Sequence, residues 1–360
     1  MSVSKRTFQL TAWLSAFAFV VVSIACNNGG GPSGSTSVSL TGAGATFPNP
    51  LYQKWLSEYA KLHPNVKIDY QSIGSGGGIK QLKEQTVDFG ASDAPMKDDE
   101  LKSASGEILH IPTVLGAVVI TYNLEGVNKP LRFSPEVIAD IYLGKITKWN
   151  DAKITADNPG VTLPAADITV VHRTESSGTS AVFTDYLSKV SAEWKEKVGA
   201  GTSPSWPTGH GGKGNEGVTG QVKQTPNTIG YVELAYAVQN NLPVAHVKNA
   251  SGNFIEPSIE AVIAAAADSA GSTPEDLRVS ITNAPGAQSY PISSYTYILV
   301  YKNQKDAGKG KALVDFVWWG IHDGQSFAKD LHYAPLPADI AKRGEAKIKS
   351  ITHGGSPLKT

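Results

Sequence analysis

The sequence has a single cysteine, Cys26, among its 360 residues. One cysteine cannot form an internal disulfide and cannot build a Cys-based zinc site. An excess of charge is also missing, because 32 basic residues are balanced by 32 acidic ones. Without a basic surplus the chain has no global positive field, which argues against nucleic acid as its main partner.

Motifs for metal, nucleotide and hydrolytic chemistry are absent as well. The eight histidines show no HExxH or comparable ligand spacing. Residues 209–214 match GxGxxG, but no predicted strand precedes them, so we do not expect a dinucleotide-binding turn. Ser177 lacks the GxSxG frame because residue 175 is glutamate. We therefore expect no metal, no cofactor and no catalytic triad.

The N-terminus has the features of an export signal. Lys5 and Arg6 precede an uncharged run over 8–25, which ends in Ala25 directly before Cys26. A flexible Gly/Ser-rich tether follows at 27–37. The pattern resembles a bacterial lipoprotein signal and predicts a signal peptide over 1–25 and lipidation of Cys26 at the head of a 26–37 tether. Ordinary signal cleavage and an uncleaved anchor remain the alternatives.

The rest of the chain alternates between strand-like and helix-like segments, and no internal repeat is visible. With 41% hydrophobic residues it can bury a core in each of two domains. Hydrophobic periodicity predicts strands and helices in alternation. The strands are 66–70, 113–122, 168–172, 229–234 and 295–301, and the helices are 50–62, 135–141, 181–190 and 311–321. This alternation predicts an α/β fold around mainly parallel sheets.

Three segments share one arrangement, a predicted strand followed by a turn of small residues and then a helix. They lie at 40–48, 73–78 and 173–179. The first turn of a helix has unpaired N–H groups and a dipole that favours negative charge, so each segment is a candidate oxyanion site. Arg173 adds a planar cationic donor to the third segment. Each turn taken alone also fits an ordinary helix cap.

Several longer motifs match a known family. They are LTGAGATFP (40–48), GSGGGIKQ (74–81), TVDFGASDAP (86–95), DIYLGKITKWN (140–150), RTESSGTS (173–180), GGKGN (211–215) and IGYVE (229–233). From about residue 38 to the C-terminal region, the chain resembles the periplasmic phosphate-binding protein of the bacterial phosphate ABC importer. The resemblance implies a type II periplasmic binding protein with two α/β lobes joined by crossover strands. Lobe one would comprise 38–115 plus 290–360, and lobe two 116–289.

The resemblance also implies a set of phosphate ligands. These are Thr46, the amide of Phe47, Ser75, Asp93, Arg173, Ser177, the amide of Gly178, and Thr179. Two positions depart from the family pattern: Gly76 stands where a second serine is common, and Glu175 stands in place of an aspartate that pairs with the arginine. For Asp93, the sequence Asp-Ala-Pro on its own favours a helix N-cap over a ligand, and the resemblance reverses that preference.

We therefore expect a monomeric extracytoplasmic phosphate receptor that is not an enzyme, works with the permease subunits of a phosphate ABC importer, and touches the membrane only through its N-terminal lipid. A receptor for another tetrahedral oxyanion, such as sulfate or molybdate, is the nearest alternative. A phosphatase or esterase that uses Ser177 is an alternative of another class, and so is a surface adhesion or signalling module.

Overall fold

The computed structural model describes residues 37–359. The predicted signal peptide, Cys26 and nearly all of the tether lie outside this range. Within it, no helix combines the length and the apolar content that a membrane span requires.

Helices and strands alternate over most of this range. The strands are β1 (Val38–Gly44), β2 (Val66–Ser72), β3 (Phe89–Ser92), β4 (Ile108–Asn123), β5 (Arg132–Phe133), β6 (Thr169–Arg173), β7 (His210–Gly212), β8 (Thr228–Glu233), β9 (His246–Lys248), β10 (Phe254–Ile255), β11 (Ser293–Tyr301), β12 (Thr352–His353) and β13 (Ser356–Pro357).

The helices are α1 (Asn49–Leu62), α2 (Ser75–Lys83), α3 (Asp98–Lys102), α4 (Pro135–Tyr142), α5 (Ala152–Asp157), α6 (Gly178–Val190), α7 (Ala192–Lys197), α8 (Gly214–Gln224), α9 (Leu234–Gln239), α10 (Ile259–Ser269), α11 (Ala307–Ile321) and α12 (Ala338–Lys349). Every strand and helix predicted from periodicity is confirmed to within a few residues, and the α/β class with them.

Eight of the strands form one sheet, in the order β2-β1-β3-β11-β4-β8-β6-β7. The pairs at both ends are parallel, as expected. The prediction of mainly parallel sheets is wrong for the centre, where β3–β11, β11–β4 and β4–β8 are antiparallel. The physical reason is that β4 and β11 are long strands that cross the middle of the sheet in opposite directions.

Strand β4 changes partner part of the way along its length. Residues 108–117 pair with β11, up to Ala117 opposite Ser293. From Val118, opposite Glu233, the strand pairs with β8 instead. Strand β4 therefore connects the two halves of the sheet.

Aromatic side chains fill the core beneath both ends. Near β1, Tyr59 contacts Phe316 and Trp319 edge-on, with ring centroids 5.2 and 5.4 Å apart. Near β8, the ring of Phe183 stacks on that of Tyr231 at 4.4 Å. These buried rings hold the helices that follow β1 and β6 firmly against the sheet.

Candidate oxyanion-binding site

The three strand–turn–helix segments predicted from the sequence meet at one place. The N–H groups of Ile73 and Gly74 donate to the carbonyl of Gly44 at 2.9 and 2.8 Å, which joins the second turn to the first. The N–H of Gly76 donates to the carbonyl of Ser176 at 3.0 Å, which joins the second turn to the third. Helices α1, α2 and α6 therefore begin around a common point.

All eight residues implied by the resemblance are buried at this junction: Thr46, Phe47, Ser75, Asp93, Arg173, Ser177, Gly178 and Thr179. Gly178 and Thr179 are the first two residues of α6, so their N–H groups have no intrahelical acceptor. A Cβ added at Gly178 would overlap the side-chain oxygens of Ser75 and Asp93. Only glycine allows the second and third turns to approach so closely.

Hydrogen bonds from three tyrosines stabilise the first turn. The hydroxyls of Tyr70, Tyr236 and Tyr333 donate to the successive carbonyls of Ala45, Thr46 and Phe47, each at 2.6 Å. Burial raises the pKa of each tyrosine well above its usual value, so all three remain protonated donors. The carbonyls are thereby held in fixed orientations, which fixes the peptide planes of the turn.

Buried Arg173 and partly buried Glu175 form an ion pair beside the first turn. Arg173 Nε donates to Glu175 Oε1 at 2.8 Å, and Nη2 donates to the same oxygen. Partial burial works to raise the pKa of Glu175, but the hydrogen bonds and charge of Arg173 outweigh it and leave the pKa below its usual value. Glu175 thus pairs with Arg173, in the position where the family pattern described above has an aspartate.

Asp93 does not cap a helix. It follows β3 in a bend, and the next helix begins five residues later at Asp98, so the N-cap alternative is wrong. Its Oδ1 accepts from the Thr296 hydroxyl at 2.9 Å, and its N–H donates to Ser75 Oγ at 3.2 Å. Burial raises the pKa of Asp93 to about 7, against the opposing effects of Thr296, Arg173 and Ser75.

In the described part of the chain, buried polar atoms without a hydrogen-bond partner occur at this junction. Asp93 Oδ2 and Arg173 Nη1 are both buried and unsatisfied. An unpaired buried carboxylate oxygen and guanidinium nitrogen are costly, so the arrangement calls for a ligand that has both an acceptor and a donor.

Asn215 and Thr296 also lie at the site, and neither is among the ligands predicted from the sequence. The amide of Asn215 donates to Thr46 Oγ1 at 2.8 Å and to Thr179 Oγ1 at 3.1 Å. A signal for Asn215 was present, because β7 and α8 form a fourth strand–turn–helix segment, but β7 has only three residues and gives no periodicity. Thr296 lies in the interior of β11, and nothing local marks it.

The hydrogen bonds of Ser177 fit a structural role. Its hydroxyl accepts from the N–H of Ser180 at 3.1 Å, and its own N–H donates to the Thr202 carbonyl at 2.8 Å. Across residues 37–359, no cluster of His, Cys, Asp or Glu could hold a metal ion.

Comparison with known proteins shows the family to which the chain belongs. The model of the PBP superfamily domain matches residues 31–318. A phosphate-binding protein PstS of Xylella fastidiosa is 49% identical over 311 residues, which cover 86% of this chain and 85% of that one. Another of Pasteurella multocida is 46% identical over 349 residues, with 97% and 96% covered. A third, from Methanocaldococcus jannaschii, is 42% identical and covers 92% of both chains.

Solved structures support the fold. The chain is similar to PfluDING, a high-affinity periplasmic phosphate-binding protein with bound phosphate, at a TM-score of 0.68 and 22% identity, with 86% of this chain and 93% of that one covered. It is similar to a phosphate-binding protein from Stenotrophomonas maltophilia at a TM-score of 0.66 and 22% identity, with 86% and 94% covered. The fold is that of a type II periplasmic binding protein, as the resemblance implied. The chain belongs to the PBP superfamily and, within it, to the PstS family of phosphate-binding proteins.

Proposed function

We propose that this protein is an extracytoplasmic receptor that binds inorganic phosphate between two lobes and delivers it to the permease of an ABC-type importer. The observation that carries the proposal is the pair of buried, unpartnered atoms Asp93 Oδ2 and Arg173 Nη1 beside the start of α6. A partly protonated phosphate satisfies both, because it accepts from the guanidinium and donates its remaining proton to the carboxylate.

The ligand set we propose is the one implied by the resemblance. Around Arg173, the donors are the hydroxyls of Thr46, Ser75, Ser177 and Thr179 and the amides of Phe47 and Gly178. Desolvating an anion is costly, so nearly every oxygen must be paired. Charge-assisted hydrogen bonds contribute about 1.5–3 kcal/mol each, and micromolar binding needs only about 8 kcal/mol net.

We propose lobe one as 38–115 plus 290–360 and lobe two as 116–289. The change of partner in β4 between Ala117 and Val118 supports this division. Hydrogen bonds from Arg173 to Thr46, and from Gly76 to Ser176, then join the two lobes. A ligand held by donors from both lobes favours the closed state through contacts that only this state provides.

The protein acts as a receptor and not as a phosphatase. Hydrolysis by Ser177 would need a positioned base or a metal ion. Ser177 instead caps α6, and His172 stacks on the ring of Trp206 at 4.9 Å. Turnover of a chromogenic phosphate ester that is lost in Ser177→Ala would favour the phosphatase.

Calorimetric titration of purified protein, stripped of ligand, tests the proposal. At pH 8, above the pKa of Asp93, we expect saturable binding of phosphate and no comparable binding of sulfate, because sulfate has no proton for the ionised Asp93. Molybdate and arsenate titrations complete the comparison. Sulfate binding as tight as phosphate binding would contradict the proposed specificity.

We further propose that the mature protein begins at a lipidated Cys26 and is held at the periplasmic or cell surface as a monomer. We expect the wild-type protein to fractionate with membranes and Cys26→Ala to lose lipid labelling. Because a Gly/Ser tether separates anchor from body, the purified body should bind phosphate with unchanged affinity. Lipid labelling that persists in Cys26→Ala would contradict the anchor.

A further inference from the structure

Asn215 occupies a fully buried position between the first and third turns. It is the second residue of α8. Its backbone N–H donates to Thr46 Oγ1 at 3.2 Å, and its side-chain amide donates to Thr46 Oγ1 and to Thr179 Oγ1. Its Oδ1 accepts the N–H of Glu233 at 2.9 Å. Since a backbone N–H only donates, this last bond fixes which end of the amide faces the threonines.

The bonds from Asn215 determine what the two threonine hydroxyls can still do. A hydroxyl has one proton and two acceptor lone pairs. Three donors share the lone pairs of Thr46 Oγ1: the Asn215 amide at 2.8 Å, the Asn215 backbone N–H at 3.2 Å and Arg173 Nη2 at 3.1 Å. With its lone pairs engaged, the Thr46 hydroxyl is left to donate. Thr179 Oγ1 likewise accepts from Asn215, so its proton is directed away from the amide.

We infer that Asn215 is a positioning residue that holds the Thr46 and Thr179 hydroxyls as donors toward the bound anion. This inference rests on the proposed phosphate-binding function. Thr46 belongs to lobe one and Thr179 to lobe two, so the Asn215 amide bridges one ligand hydroxyl from each lobe. Its bonds to Thr46 exist only when the lobes are closed. Closure of the lobes therefore lets Asn215 orient the two threonine hydroxyls as donors, although Asn215 does not itself contact the anion.

The variant Asn215→Asp tests this assignment, because it preserves side-chain shape and the acceptor for the Glu233 N–H. It replaces only the donor that faces the threonines with an acceptor. The ionised carboxylate would draw the two hydroxyl protons toward itself and would also repel the anion. We expect inorganic phosphate to bind about 100-fold more weakly than to wild type at pH 8.

The pH dependence of that loss of affinity distinguishes an effect of the charge at position 215 from an effect of its packing. Burial raises the pKa of a carboxyl group, so the introduced group should be neutral at pH 5 and charged at pH 8. We expect the ratio of variant to wild-type dissociation constants to fall below about tenfold at pH 5. The ratio is the quantity to compare, because the titration of phosphate itself affects both proteins equally. Asn215→Ala should give a smaller loss with a flat ratio.

Asn158→Asp is the matched control. Asn158 is also buried and bonds to the backbone of Arg132, outside the site. The control should lower the melting temperature and leave phosphate affinity unchanged. If Asn215→Asp does not fold, calorimetry on Asn215→Ala, Thr179→Val and the double variant decides. If the double variant loses less phosphate-binding free energy than the sum of the two single variants, the inference is supported. If the losses are additive, it is overturned.

Two outcomes for Asn215→Asp would overturn the inference while leaving the receptor intact. One is a ratio that stays flat from pH 5 to 8, and the other is an affinity equal to that of Asn215→Ala at pH 8. Failure of the wild-type protein to bind phosphate is a different result, and it would count against the proposed function itself.

Discussion

Replacing Arg173 with alanine is expected to weaken phosphate binding by about 2–4 kcal/mol, or about 30- to 700-fold, with the fold retained. Arg173 is the only cation among the proposed ligands, and its Nη1 is buried without a partner in the described structure. Its removal would leave a desolvated anion that faces neutral donors only. Calorimetric titration with phosphate measures the loss, and a melting curve checks that the variant is folded.

The Arg173–Glu175 ion pair makes this variant more severe than the loss of one ligand. Glu175 also accepts from the Gly214 N–H at 3.1 Å, so it remains close to the site when the arginine is gone. An unpaired carboxylate there would repel the anion. The double variant Arg173→Ala/Glu175→Gln removes that repulsion and should recover part of the affinity.

A matched control for the loss of a cation is Arg132→Ala. Arg132 lies at the surface, with its guanidinium over the ring of Phe254. Its removal should leave phosphate affinity unchanged. An affinity within a few-fold of wild type for Arg173→Ala would show that Arg173 is not a direct ligand.

The variant Asp93→Asn is expected to gain sulfate binding and so to narrow the preference for phosphate. An ionised Asp93 can only accept a hydrogen bond, so it repels a fully deprotonated anion. The repulsion between unit charges 4 Å apart at an effective dielectric of 20 is about 4 kcal/mol. Asparagine has nearly the same shape and can turn its NH₂ toward the ligand. Competitive titration of both anions measures the ratio, and an unchanged ratio would remove Asp93 from the site.

The same variant should change how stability depends on pH in the ligand-free protein. The pKa of Asp93 is raised to about 7 by burial, so the folded state disfavours the charged carboxylate. As the pH rises from the unfolded-state value near 4 through about 7, the unfolded chain releases this proton first and the wild type loses stability. Asp93→Asn should not show that loss, so its melting temperature should exceed that of wild type more at pH 8 than at pH 4.

Local sequence predicted those parts of the site that depend on local structure. A strand, a turn of small residues and a helix can be identified from a dozen consecutive residues, and this was enough for the segments that contain Thr46, Ser75 and Ser177. Arg173 was identified because it lies inside one of these segments. Asp93 was ambiguous, because the residues after it permit a cap, and only the position of α3 excludes one.

The missed parts depend on contacts between distant residues. Thr296 reaches Asp93 across 203 positions of the chain, and Tyr333 reaches Phe47 across 286. Asn215 could not be predicted in this way, because β7 has only three residues, which are too few to show a hydrophobic period. The antiparallel centre of the sheet was missed for a similar reason, because strand direction depends on where β11 returns and not on its own sequence.

The shared strand β4 has a consequence for how the chain folds. Residues 116–289 are contiguous, so the proposed second lobe can begin to fold before the chain that follows it is available. The sheet of the proposed first lobe is incomplete at that stage, because the register of residues 108–117 with β11 requires the chain to extend to Tyr301. Pairing over such a separation has a high entropic cost and is slow. The proposed first lobe is therefore completed last, and until then β3 and β4 present unpaired edges that the chain must protect from aggregation.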